Sequence, residues 1–243
     1  MKIKDKVVVI TGANGGIGSA IARKLDKEDC FLILTARRIE SLTELKNDLK
    51  NDHLAVEMDV ANSKSVSDAF ATILSKVDNI DVLVNVAGVM SLTYLKNLHL
   101  DEWLNTIEVN VKGMLRTLHG ALPSMKEQNK GHIVNIASVD GKELYKGGAI
   151  YGASKAAIIA LSRAMRMELS PEFSIKVTSI EPGTVDTDLR EDITDTELLS
   201  DKDYGGDEPM LDPEDIARAV LYVISEPDQS NINELMIKPT GKS

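Results

Sequence analysis

The chain has one cysteine, Cys30, so no internal disulfide can form, and its four histidines are too scattered for zinc-site spacing. No metal is expected. Aromatic residues make up only 4% of the sequence, and the single tryptophan, Trp103, suits helix packing better than base stacking. An excess of positive charge is also missing. Against 38 Asp and Glu there are 28 Lys and Arg, and a net charge of -10 without a basic stripe repels nucleic-acid phosphates. No run approaches the ~18 apolar residues of a membrane span. Met1-Lys-Ile-Lys-Asp-Lys6 enters an apolar segment directly, without a signal-peptide pattern. These absences point to a cytoplasmic protein that binds neither nucleic acid nor membrane.

What is present reads as alternating strands and helices over 243 residues, enough to bury a substantial core in one domain. Apolar runs at Val7–Ile10, Cys30–Thr35, His53–Met58, Asp81–Val84, His132–Ile136, Ser174–Ile180 and Glu234–Ile237 read as strands. Helical spacing falls between them, including one long stretch from about Asp101 to Glu127 and another from Tyr151 to Leu169. Continuous apolar strands separated by helices predict an α/β fold. The expectation is a doubly wound, Rossmann-like, seven-stranded parallel sheet flanked by helices, in a single domain over residues 1–243. The stretch from Asp186 to Asp212 breaks the pattern, with eleven acids against two bases, Arg190 and Lys202. It reads either as a solvated acidic flap or as a lid over a substrate.

Between the first strand and first helix lies Thr11-Gly-Ala-Asn-Gly-Gly-Ile-Gly18. Missing side chains at Gly12, Gly16 and Gly18 let a backbone turn approach a pyrophosphate, and the helix N-terminus adds N–H groups and a positive dipole. The spacing is G-x-x-x-G-x-G, not G-x-G-x-x-G. An NAD site usually places an acid at the end of the second strand. Here Thr35-Ala36-Arg37-Arg38 stands there, and Glu40 is the first acid. A guanidinium at Arg37 suits a 2′-phosphate, so NADP(H) is the expected cofactor.

Ser138 follows the fifth strand directly, and Tyr151-Gly-Ala-Ser-Lys155 puts a phenol and an ammonium on one helix face. A free phenol has a pKa near 10, and a nearby ammonium is expected to lower it, making Tyr151 a proton donor and acceptor between alcohol and ketone. Ser138 is placed to hydrogen-bond the carbonyl oxygen.

With these residues in this order, the chain resembles the short-chain dehydrogenase/reductase family, of the single-domain Tyr-x-x-x-Lys type, over nearly its full length. The resemblance implies a catalytic set of Asn110, Ser138, Tyr151 and Lys155, with Asn110 holding a water in a proton relay. It implies a cofactor turn including Gly12, Asn14, Gly16, Ile17 and Gly18, with Arg37 and Arg38 beyond it. Asp59 and Val60 correspond to the adenine contact. Asn85, Ala87 and Gly88 belong to an N-N-A-G element in which Val86 replaces the second amide, a change expected in packing more than chemistry. Pro182, Gly183, Val185 and Thr187 correspond to the loop at the nicotinamide end, and Tyr151 and Lys155 also face the cofactor.

The family acts on many hydroxy and carbonyl compounds, so fold and motif do not choose a substrate. An acidic lid suits acidic acyl carrier protein poorly. The ending Asn233-Glu-Leu-Met-Ile-Lys-Pro-Thr240 resembles the branch that oxidises 3-hydroxy acids such as serine with NADP. Lys142, Lys146 and Arg190 are then candidates for a substrate carboxylate. Alternatives are an acyl-carrier or general ketone and aldehyde reductase, or a non-enzymatic NADP(H) sensor or scaffold. The helix from Tyr151 is apolar or small around much of its girth, which one sheet face does not require. A homodimer or homotetramer is expected.

Overall fold

Val7–Thr11 (β1) carries no charge, and its middle alternates between two faces: Val8 and Ile10 enter one core layer and Val9 the other. The same logic places Phe31–Ala36 (β2), Leu54–Glu57 (β3), Val82–Asn85 (β4), Gly131–Ile136 (β5), Ile175–Pro182 (β6) and Glu234–Ile237 (β7) in one sheet. The computed structural model describes residues 3–190, 192–201 and 209–241. All neighbouring strands are parallel, in the order β3-β2-β1-β4-β5-β6-β7. Helices therefore cover both faces. Gly16–Leu25 (α1), Ile39–Asp48 (α2) and Pro213–Ser225 (α8) bury Ile21, Leu42 and Val220 on one side. Ser63–Leu74 (α3), Met114–Glu127 (α5) and Ala149–Phe173 (α6) bury Phe70, Met125 and Ile158 on the other. Side chains such as Ile10, Ile33 and Leu83 are fully enclosed, each stabilising the fold by roughly 1.5–3 kcal/mol.

Strand order reverses between β1 and β4, and a crevice opens beyond their carboxyl ends at that point. Every element that matters chemically ends there. A buried polar chain fixes the adjacent strands: Thr117 donates to Asn85 (2.7 Å), Asn85 to Asn135 (2.9 Å) and Asn135 to Ser162 (2.8 Å). It joins α5, β4, β5 and α6 with each amide satisfied.

Two stretches differ from the sequence expectation. The single helix expected over 101–127 is Leu100–Ile107 (α4), then a π-helical turn over Glu108–Gly113, then α5. At the end of that turn Gly113 lies against Val60, where a β-carbon would come within 2.9 Å of the valine side chain. Within the irregular acidic segment, Thr196–Ser200 (α7) forms a short helix capped by Asp195, whose carboxylate accepts from the N–H groups of Glu197 and Leu198. Five residues are too few for periodicity to reveal. Lys202 and residues 203–208 of that segment lie outside the described residues.

Candidate active site

Tyr151 and Lys155 stand one turn apart near the start of α6, as i and i+4 spacing requires. The Lys155 Nζ donates to the carbonyl of Ile136 at the end of β5 (3.0 Å) and lies 5.6 Å from the centroid of the Tyr151 ring. Two residues beyond Ile136, the Ser138 hydroxyl accepts from the Asp140 N–H (3.1 Å), points to the Pro182 carbonyl (3.4 Å) and is close enough to the phenol to bias its titration. Asn110 reaches the same place from the π-helical turn. Its side chain accepts from the Val89 N–H (2.8 Å) and donates to the Val89 carbonyl (2.9 Å) and the Ser154 hydroxyl (3.0 Å). Ser154 in turn bonds the Tyr151 carbonyl (2.7 Å). All four expected catalytic residues are buried and share one crevice. Gly88 lies between two of them: a β-carbon there would sit 3.2 Å from Asn110 Oδ1 and 3.8 Å from Lys155 Nζ.

The electrostatics depart from the simple expectation. Burial pushes the Tyr151 phenol well above its ordinary range, the Asp140 carboxylate adds to the rise, and the Ser138 hydrogen bond opposes it. Burial also lowers the Lys155 ammonium to about 8, against a smaller upward pull from Asp140. The enclosure that desolvates the phenol desolvates its cationic neighbour too, and that cation is turned toward the Ile136 carbonyl. Tyr151 is therefore a neutral phenol at pH 7.

The residues expected at the cofactor lie mostly at or just past the carboxyl ends of β1, β2, β3, β4 and β6. Gly12 has φ +63°, a left-handed conformation natural to glycine, and a β-carbon there would meet Ala87 at 2.9 Å. The first N–H groups of α1, at Gly16, Ile17 and Gly18, have no side-chain cap from Gly15 and no acid in the first turn. That is the donor set a pyrophosphate needs. Asn14 bonds Ser41 (3.1 Å) beside the turn. Thr187 packs on Gly16 from the loop after β6, where Gly183 N–H bonds the Ile237 carbonyl (2.7 Å) and Val185 bridges Leu211. Arg37 and Arg38 are exposed past the end of β2. Asp59 accepts from the Ala61 N–H (2.9 Å), next to Val60. Asn85 turns its side chain into the buried polar chain, and Val86 packs into the core while its N–H and that of Ala87 bond the Thr11 hydroxyl. The fit to a dinucleotide is good.

Sequence reasoning missed the wall of the crevice. Tyr151 packs with Leu92, Ile193 and Leu198, and with the partly buried Met90 and Tyr94. Ile193 and Leu198 belong to the acidic segment, which the loop before α4 holds through Asp195: it accepts from the Tyr94 N–H (2.8 Å) and Asn97 (3.0 Å). Lys96 pairs with Glu197, and Tyr94 donates to Asp201. Part of the segment is thus packed over the crevice, not a freely solvated flap. Of the carboxylate candidates, Lys142 is occupied by Glu181 (2.8 Å) and Glu234 (2.9 Å). Lys146 is exposed, and Arg190 reaches the Thr184 hydroxyl (3.4 Å) near Asp140. Asp140 was also missed, although it follows Ser138 by two residues.

Comparison with known proteins agrees with this geometry. The pattern of the short chain dehydrogenase family matches residues 6–198. An uncharacterized oxidoreductase of Staphylococcus aureus (strain MW2) is 38% identical over 238 residues, covering 98% of each chain. The closed form of serine dehydrogenase complexed with NADP+ is 34% identical, with a TM-score of 0.90 over 98% of this chain and 96% of that one. An alcohol dehydrogenase from the archaeon Thermococcus sibiricus, complexed with 5-hydroxy-NADP, is 30% identical, with a TM-score of 0.85 over 99% of each chain. The chain belongs to the short-chain dehydrogenase family of oxidoreductases.

Proposed function

We propose that this oxidoreductase moves a hydride between NADP(H) and the carbon of a small hydroxy or carbonyl compound, with short 3-hydroxy acids as the favoured substrates. One observation carries the reading: the buried Ser138, Tyr151 and Lys155 gather at the carboxyl end of β5, and the uncapped N-terminus of α1 follows the carboxyl end of β1, on the same edge of the sheet where strand order reverses. Serine dehydrogenase with NADP+ and an archaeal alcohol dehydrogenase with a hydroxy-NADP, both similar to this chain, support the cofactor and substrate class.

The turn at Gly12, Asn14, Gly16, Ile17 and Gly18 would hold the pyrophosphate, Arg37 and Arg38 the 2′-phosphate, and Asp59 and Val60 the adenine end. Asn85, Ala87 and Gly88 would line its middle. Pro182, Gly183, Val185 and Thr187 would close on the nicotinamide end. NADPH, when bound, supplies the hydride. Tyr151, held as a phenol by its burial, donates a proton to the substrate oxygen, and Ser138 hydrogen-bonds that same oxygen as it gains charge. Lys155 offers positive charge to the phenolate that remains. Asn110 anchors the loop after β4 at Val89 to α6 through Ser154, and a water on that side of the crevice would return the proton to Tyr151. The described residues 192–201 of the acidic segment cover Tyr151. Ile193 and Leu198 exclude water from Tyr151, and Arg190 is the cation placed for a substrate carboxylate.

The test is an absorbance assay of NADPH and NADH consumption against small aldehydes, ketones and 3-oxo acids, with NADP+-driven oxidation of serine and other 3-hydroxy acids in reverse. Turnover with NADPH above NADH and with 3-hydroxy acids is expected. Turnover of carrier-bound acyl groups alone, or cofactor binding without turnover of any substrate, overturns the reading.

A further inference from the structure

The turn that follows Ser138 carries a carboxylate with no part in the mechanism above. Asp140 sits in a single helical turn over Val139–Gly141, and its N–H fixes the Ser138 hydroxyl. The turn is pinned against α6. A β-carbon on Gly152, one residue past Tyr151, would come within 2.8 Å of the Asp140 carbonyl. One on Gly141 would come within 2.9 Å of the Lys155 carbonyl carbon and the Ala156 nitrogen. Asp140 is thereby held at the level of both Tyr151 and Lys155, with no space for the backbone to retreat. The charged and titratable groups facing its carboxylate come from three sides. Tyr151 and Lys155 lie on α6, Tyr145 donates to it from the following loop (3.2 Å), and Arg190 approaches from the segment after β6.

We propose that Asp140 is an electrostatic positioning residue for the Tyr151–Lys155 pair, setting the pH window in which that pair exchanges a proton with substrate. The inference rests on the reading of Tyr151 as the proton donor. A fixed negative charge beside the pair disfavours the phenolate and favours the ammonium, so it adds to the rise that burial gives Tyr151 and opposes the fall that burial gives Lys155. Its removal moves both downward. Burial pushes the carboxyl of Asp140 up, while Tyr145, Ser138, Lys155 and Arg190 all draw it back toward the charged form.

The experiment is the pH profile of kcat/KM for alcohol oxidation at saturating NADP+, in wild type and in Asp140→Asn, Asp140→Ser and Asp140→Glu. Oxidation needs the phenolate, so its rate rises with pH through the Tyr151 limb. The Asn and Ser variants are expected to shift that limb to lower pH by about 1 unit, while Glu keeps it near the wild-type position. Ser serves if Asn disturbs the turn. A uniform loss of rate with the limb unmoved, or a Glu profile that follows Asn, overturns the role of Asp140. Tyr151→Phe separates the two claims. Activity retained in Tyr151→Phe defeats the proton-donor reading itself. Activity lost there, with an unmoved limb in Asp140→Asn, defeats the present inference alone.

Discussion

Arg37 directly follows the second strand, where an acid would bind the ribose of NAD, and it is exposed beyond the sheet. A charge-assisted hydrogen bond to a phosphate contributes about 1.5–3 kcal/mol, which is roughly 10- to 150-fold in affinity. Arg37→Asp is therefore expected to lower the NADP-over-NAD ratio of kcat/KM by that range, measured with both cofactors on one substrate. An unchanged ratio would place 2′-phosphate recognition on another residue. At the same scale Tyr151 shows what a sequence hides. Spacing brought the phenol and the ammonium to one helix face, but the sign of the phenol's shift depends on how dry the crevice is. That dryness comes from Leu92, Ile193 and Leu198, which are distant in sequence and were legible only as ordinary apolar residues.

Among the elements, the strands and most helices could be read because their apolar periods run for four residues or more. Helix α8 shows this best: Asp212 caps it, Pro213 opens it, and its buried Ile216, Ala217, Val220, Val223 and Ile224 keep helical spacing. The π-helical turn carrying Asn110 left no such mark, since apolar spacing continues through it. Only the close approach of Gly113 to Val60 and the paired bonds between Asn110 and Val89 account for it. Such turns often occur at functional sites, and here one turns an amide inward that a regular helix would aim elsewhere. The acidic segment was legible as an exception, not as a structure. Its charge concealed two apolar side chains over Tyr151, and its carboxylates serve as a helix cap and as anchors on the Tyr94–Asn97 loop.

At the scale of the whole molecule, the sheet fixes where chemistry can occur, since the order reverses only at β1 and β4. Among the described residues no helix is long and apolar enough to cross a membrane. The sequence suggested that α6 has more apolar girth than one sheet can cover. On its outer side Ala153, Ala160 and Ala164 are exposed and Met167 is 79% exposed, while Leu104 of the neighbouring α4 is 59% exposed. A second copy related by a two-fold axis would cover this strip. Sedimentation velocity at micromolar concentration is expected to give a species of two or four copies, and a species of 26.5 kDa would contradict it.

The central claim is that the buried phenol of Tyr151 delivers the proton that accompanies hydride transfer. The most direct measurement is NADPH-dependent carbonyl reduction by Tyr151→Phe, with NADPH binding followed separately by fluorescence. The variant is expected to bind NADPH within about ten-fold of wild type, since it loses one hydroxyl, and to reduce substrate about 100- to 10,000-fold more slowly. Reduction within a few-fold of the wild-type rate would contradict the account.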